Sequence, residues 1–197
     1  MLEAGSDGRW TVFCDRDGTI NRKAPEGEYV LSADQLVLLD GAAAAIARLR
    51  SAGARVVVVT NQRGVALGRM TLDDLASVHR ELAARLAGAG AELDAIYACP
   101  HERGACDCRK PGPGMFLRAV EDEPSIHLEG SAMVGDSITD VEAGARLGMT
   151  TVLLADSSRR EIPEGQAPNH VAATLAEAAD WLLANAPEVP SPAGRGR

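Results

Sequence analysis

The chain has 197 residues, 46% hydrophobic and 24% charged, which suits one globular domain with a full-sized core and excludes disorder as the default state. Its net charge of -8, from 28 acidic against 20 basic residues, argues against nonspecific binding to nucleic acid and favours a small anionic substrate in a local basic pocket. No run approaches the ~18 apolar residues of a membrane span, and the opening MLEAGSDGRW lacks a signal core. A cytoplasmic protein with reduced thiols and no membrane partner is therefore expected.

Residues 1–9 read as a polar lead-in. The run WTVFC reads as a short buried strand that breaks at once into Asp15, Arg16, Asp17, Gly18 and Thr19. If the extended conformation persists through Arg16, the two carboxylates project to the same side, and a hard divalent cation such as Mg²⁺ would offset their repulsion. An isolated D-x-D is an ordinary solvated turn, so the functional reading needs partners elsewhere in the chain. Pro25 and Gly27 mark the following charged segment as a loop or short flap. Asp40 is expected to cap a helix through GAAAAIARLRSAG, with Gly53 as its stop. Residues 55–60, RVVVVT, are apolar on both faces, as in a central parallel strand, and lead into Thr60, Asn61 and Gln62. Thr71 and Asp74 predict a capping box for a helix carrying Leu75, Val78, Leu82 and Leu86 on one face, with His79 a surface residue beside it.

A third strand, over about residues 93–98, runs into CPHERGACDCRKPGPG, and Pro113 is placed to begin a helix containing Phe116, Leu117 and Val120. The stretch SAMVGDSITD predicts a fourth strand ending in Asp136, then a helix through Val141 and Ala145 that stops near Gly148. TTVLLA makes a fifth strand. A polar loop over 156–169 and a short HVAA segment precede a last helix capped by Thr174 and Glu177, holding Leu175, Trp181 and Leu182. Trp10 and Trp181 read as core residues. The Pro/Gly-rich tail, 186–197, is expected to be disordered, which leaves 10–185 as the domain.

Repeated alternation of strand and helix predicts an α/β fold, a doubly wound, mostly parallel, Rossmann-like sheet with helices on both faces. Ligands in such sheets sit beyond the carboxyl ends of the strands. That rule collects Asp15 and Asp17, Thr60 and Asn61, Arg109 and Lys110, and Asp136 and Asp140. No nucleotide-binding glycine motif occurs. The segments after the first two strands are too short for a large cap domain. Cys99, His101, Cys106 and Cys108 supply three sulfurs and a nitrogen, the closed donor set of a structural Zn²⁺, within a Gly/Pro-rich loop unsuited to a core. Such a zinc-bearing loop would fix Arg109 and Lys110, which follow its last ligand. Cys14, inside the first strand, reads as a small buried hydrophobe.

The series DRDGT, strand-end TN, the lysine of RKP, and GDSITD resembles the haloacid dehalogenase superfamily of phosphatases over about residues 10–185. TNQRGVALG and CPH…CDCRKPGPGM narrow the resemblance to the heptose-1,7-bisphosphate 7-phosphatases and the related histidinol-phosphatase domains. The resemblance implies that Asp15 is a nucleophile forming an aspartyl phosphate and that Asp17 is the acid and base. It further implies Mg²⁺ on Asp15, the Asp17 backbone and Asp136, with Thr60 and Lys110 on the phosphoryl oxygens. Asp140 would orient Lys110 or a metal-bound water, or serve as a first-turn helix acid. Asn61, Gln62, Arg63 and Arg109 are the candidate substrate contacts, the arginines for a distal phosphate. The expected reaction removes the 7-phosphate of a phosphorylated sugar. Histidinol phosphate, a polynucleotide 3′-phosphate and a non-catalytic scaffold are the alternatives. Arg63 and Ser137 depart from the family pattern, which bears on substrate detail and leaves the reaction type alone.

Overall fold

A computed structural model describes residues 1–155 and 167–186, so the expected disordered tail after its first residue and most of the expected polar loop lie outside the described residues. Five strands follow the alternation: β1 (Trp10–Cys14), β2 (Ala54–Asn61), β3 (Ala95–Cys99), β4 (Ala132–Gly135) and β5 (Thr150–Leu154). The HVAA segment supplies a sixth, β6 (His170–Ala172), which the sequence left as a connecting piece. It pairs with β5 in the register Leu153↔Val171, where main-chain bonding decides and three residues offer no periodicity to read. The strand order is β3-β2-β1-β4-β5-β6, and every pairing is parallel.

Buried strands alternate their side chains between two layers. Val12, Cys14, Val56 and Val58 enter one core with α1 (Ala42–Ser51), α2 (Leu72–Gly88) and α5 (Leu175–Ala184). Phe13, Val57, Val59 and Met133 enter the other, with α3 (Gly114–Asp122) and α4 (Ile138–Arg146). No helix among the described residues is long and apolar enough to cross a membrane. The connections after β1 and β2 are loops, with one short 3₁₀ turn, Ala33–Gln35, in the flap.

Local signals were partly displaced. Thr71 and Asp74 form the expected reciprocal cap of α2. Asp40 does not cap α1, because the chain turns at Gly41, whose φ of 77° makes it the N-cap with no side-chain bond. Trp10 is fully buried and donates to Ala52 O at 3.2 Å. Trp181 is half-buried at the edge of the core, packed against it with its ring stacked on His170 at 4.7 Å. The lead-in is packed: Leu2 is buried and Glu3 N donates to Gly130 O at 2.9 Å.

The chain winds from β1 outward to β3, then returns to β4 on the other side of β1, so strand order reverses between β1 and β4. The crevice opening at such a reversal is where ligands bind in this architecture. Phe116 of α3 meets Phe13 of β1 edge to face at 5.2 Å, both fully buried, and this contact holds the zinc-loop side of the fold against the central strand. Phe116→Ala is expected to destabilise the fold by about 3 to 5 kcal/mol in urea titration. A loss below about 1 kcal/mol would show that the second core does not depend on this pair.

Candidate active site

Lys110 is the centre of the site, and it is buried. Its ammonium lies 2.9 Å from Asp15 Oδ1 and 2.6 Å from Asp140 Oδ1, and donates to Val59 O at 2.7 Å. Burial alone would depress this ammonium, but Asp140 and then Asp15 outweigh it and hold the group above its ordinary value. Asn61 fixes the same residue's backbone, donating to Lys110 O at 3.1 Å and accepting from Lys110 N at 3.0 Å. Asn61 therefore positions the lysine, and it also lines the cleft with one amide hydrogen left over.

Asp140 both caps a helix and faces Lys110. Its Oδ2 accepts from Ser137 N at 3.0 Å, closing the capping box of α4, while Oδ1 faces Lys110. Burial first, then the charges of Asp15 and Asp136, push its carboxyl up to about 7 against the pull of Lys110. The side chain passes so close to β4 that a Cβ at Gly135 would lie 2.2 Å from its Oδ2. Carboxylate oxygens of Asp15, Asp136 and Asp140 all lie within 4.8 Å of one another, an excess of negative charge that a divalent cation would relieve. At Gly18, φ is +84° and an added Cβ would fall 2.4 Å from Asp136 Oδ2, so the loop closes over the acids only with glycine there.

Asp17 is held by a dense set of donors. Arg16 reaches its carboxylate three times, Nε to Oδ1 at 3.2 Å and Nη2 to Oδ1 and Oδ2 at 3.1 and 2.9 Å. Asn21 donates to Oδ1 and Gln62 to Oδ2, each at 2.8 Å. Gln62 Nε2 also lies 2.8 Å from Thr60 Oγ1. Gln62 is buried and does not line the cleft, so the expected substrate contact is corrected to an internal brace between Asp17 and Thr60.

These groups form the floor of a cleft of about 960 Å³, the size of a small-molecule site. Asp15, Asp17, Thr60 and Asp136 line it from strand ends, the flap contributes Lys23 and Tyr29, the turn after β2 contributes Arg63, and the zinc loop and the residues after it contribute Arg103, Arg109 and Lys110. Arg109 Nη1 is buried with no hydrogen-bond partner among the described residues. Arg63 is engaged, donating to Glu102 Oε1 at 2.5 Å. Lys23 pairs with Asp136 at 2.7 Å, a cleft cation that the flap's lack of periodicity concealed.

At the end of β3, Cys99 Sγ lies 3.5 and 3.2 Å from the sulfurs of Cys106 and Cys108, which are 3.1 Å apart. His101 Nδ1 lies 3.2 Å from Cys108 Sγ and 3.7 Å from Cys99 Sγ. A tetrahedron with Zn–S bonds of about 2.3 Å has edges of about 3.8 Å, so this donor set fits Zn²⁺ after slight expansion.

A family model described as HAD-hydrolase-like matches residues 107–178. The D-glycero-beta-D-manno-heptose-1,7-bisphosphate 7-phosphatase of Escherichia coli is 36% identical over 187 residues, 91% of each chain. The chain belongs to the heptose-bisphosphate phosphatase family. The D-glycero-alpha-D-manno-heptose-1,7-bisphosphate 7-phosphatase of Mycobacterium bovis is 43% identical over 143 residues, 72% of this chain and 75% of its own. A solved D,D-heptose 1,7-bisphosphate phosphatase from B. bronchiseptica, complexed with magnesium and phosphate, matches with a TM-score of 0.79 and 35% identity. That match covers 89% of this chain and 99% of the other.

Within this heptose-bisphosphate phosphatase family member, sequence reasoning missed Lys23 and His79 near the acids. His79 is not the surface histidine expected, since it is half-buried with Nε2 3.2 Å from Arg16 Nη1. The only early signal was position, one residue after Val78 on the buried stripe of α2. Protein purified without chelators is expected to carry about one Zn²⁺ per chain by metal analysis, and Cys106→Ser to lose it. Zinc-free protein whose cysteines all react freely with a thiol reagent would overturn the site.

Proposed function

We propose that this protein is a phosphomonoester hydrolase that removes the 7-phosphate of D-glycero-D-manno-heptose 1,7-bisphosphate through an aspartyl phosphate on Asp15. The observation that carries the reading is the ion pairing of Asp15 with buried Lys110 at the strand-order reversal, in a chain whose relatives are named for this reaction. Those names favour the heptose substrate over histidinol phosphate. A cytoplasmic setting suits the free cysteines of the zinc cluster, which need reducing conditions.

The Asp15 carboxylate attacks phosphorus in line while the bond from phosphorus to the C7 oxygen breaks. Asp17 gives its proton to the departing alkoxide. It then takes a proton from the water that attacks the same phosphorus, the bond to Asp15 breaks, and phosphate leaves. Lys110 and Thr60 bind the equatorial phosphoryl oxygens, and Asn61 and Asp140 keep the lysine in place. The Asp15 carboxylate, the Asp17 backbone carbonyl and Asp136 would hold Mg²⁺. When bound, the ion neutralises charge on the transferring group.

Arg109 binds the distal phosphate, because it lines the cleft with a buried guanidinium nitrogen that has no partner among the described residues, and a planar fork matches a phosphate's oxygens. Arg63, tied to Glu102 through Nε, also lines the cleft and is a candidate helper to Arg109.

Asp15→Asn is expected to lower kcat by at least ~10³-fold in a phosphate-release assay with the fold intact. Near wild-type turnover by folded Asp15→Asn enzyme would refute the nucleophile. If the distal contact contributes about 1.5 to 3 kcal/mol, Arg109→Ala should reduce kcat/KM for the bisphosphate by about 10 to 150-fold. The loss for heptose 7-phosphate should be much smaller. Equal losses on both would mean that Arg109 serves the reacting phosphate.

A further inference from the structure

Arg16 stands between the two acids in sequence, yet its side chain is fully buried and does not line the cleft. A guanidinium taken out of water requires partners for its donors. Nε and Nη2 are turned to Asp17, and Nη1 faces His79 Nε2 at 3.2 Å, across from α2. Guanidinium only donates, so His79 Nε2 must accept, which requires a neutral imidazole with its proton on Nδ1. The surroundings enforce that state: burial first, then Arg16, hold the His79 pKa down at about 4 against the opposing pull of Asp17.

We propose that His79 is a positioning residue for proton transfer at Asp17, acting through Arg16. His79 fixes one edge of the guanidinium plane, and the other edge fixes the carboxylate. Asn21 and Gln62 meet that carboxylate at Oδ1 and Oδ2, so its orientation is determined from three directions. Without His79, Nη1 of the buried guanidinium loses its acceptor, and any shift of the guanidinium that restores one pulls on the Asp17 carboxylate bonded to its other edge. His79 itself gains and loses no proton; the proton passes from the Asp17 carboxyl to the leaving alkoxide as the ester bond breaks. Misplacement of the acid slows that step, since proton transfer demands heavy-atom distances near hydrogen-bond length. The inference rests on the assignment of Asp17 as acid and base.

The test compares kcat/KM, which reports only steps through phosphoryl transfer to Asp15, for esters with leaving groups of different basicity in Mg²⁺-supplied enzyme. Nitrophenolate leaves without a proton, whereas an alkoxide needs one. His79→Leu should lower kcat/KM for the heptose bisphosphate by about 10 to 100-fold, part of what a general acid contributes, and that for p-nitrophenyl phosphate by less than ~3-fold. His79→Gln, whose amide oxygen can accept from Arg16, should recover most of the loss. Equal losses on both esters, or no rescue by glutamine, would assign His79 to packing alone. If His79→Leu does not fold, His79→Asn, too short to reach Arg16, takes its place with the same expectations. Asp17→Asn in the same panel separates the two claims. If it shows no preference between leaving groups, the acid assignment fails. If it does and the His79 variants do not, only the positioning role fails.

Discussion

The buried ammonium of Lys110 is the constraint around which the site is assembled. A cation removed from water persists only with anionic partners and filled hydrogen-bond directions, and three groups meet that need: Asp15, Asp140 and the carbonyl of Val59. Each comes from a different element, so the lysine draws together the end of β1, the N-terminus of α4 and the end of β2. Asp140 couples this cluster to a helix, because one of its oxygens caps α4 while the other faces the lysine. Displacing Lys110 would leave two acids uncompensated and release the cap's orientation together with that of Asp15.

What keeps Lys110 in position is the loop that precedes it. The donor set of Cys99, His101, Cys106 and Cys108 begins at the last residue of β3 and ends two residues before the lysine. Beyond it the chain packs tightly on itself: a Cβ at Gly112 would lie 2.1 Å from Asp107 O. A short loop without a core of its own gains rigidity from a metal tetrahedron, and that rigidity reaches Lys110 and Arg109 directly. On the proposed reading, zinc on these ligands and phosphoryl binding at Lys110 would form one mechanical unit.

Much of this was legible because strands ending in polar residues had to deliver them to one edge of a parallel sheet. Asp15, Thr60, Asn61, Lys110 and Asp136 do line one cleft, as the alternation of elements implied. Where the reading went astray, a tertiary contact overrode a local pattern. Gln62 looked like a loop residue facing substrate, but the turn after β2 buries it against Asp17 and Thr60. Asp40 had the chemistry of a cap and lost to the left-handed turn at Gly41. His79 had a helix position that suited solvent, and only the inward course of Arg16, invisible in a D-R-D string, gave it a partner. Lys23 lies in a flap with no periodicity, so its approach to Asp136 could not be inferred from spacing.

The account turns on covalent transfer of the phosphoryl group to the protein before water enters. Two in-line displacements invert phosphorus twice, whereas direct attack by water inverts it once. The decisive measurement is the stereochemical outcome at phosphorus for a substrate whose reacting group is made chiral with sulfur and a heavy oxygen isotope, hydrolysed in water carrying a third isotope. Net retention is the result predicted for transfer through Asp15, and net inversion would contradict it.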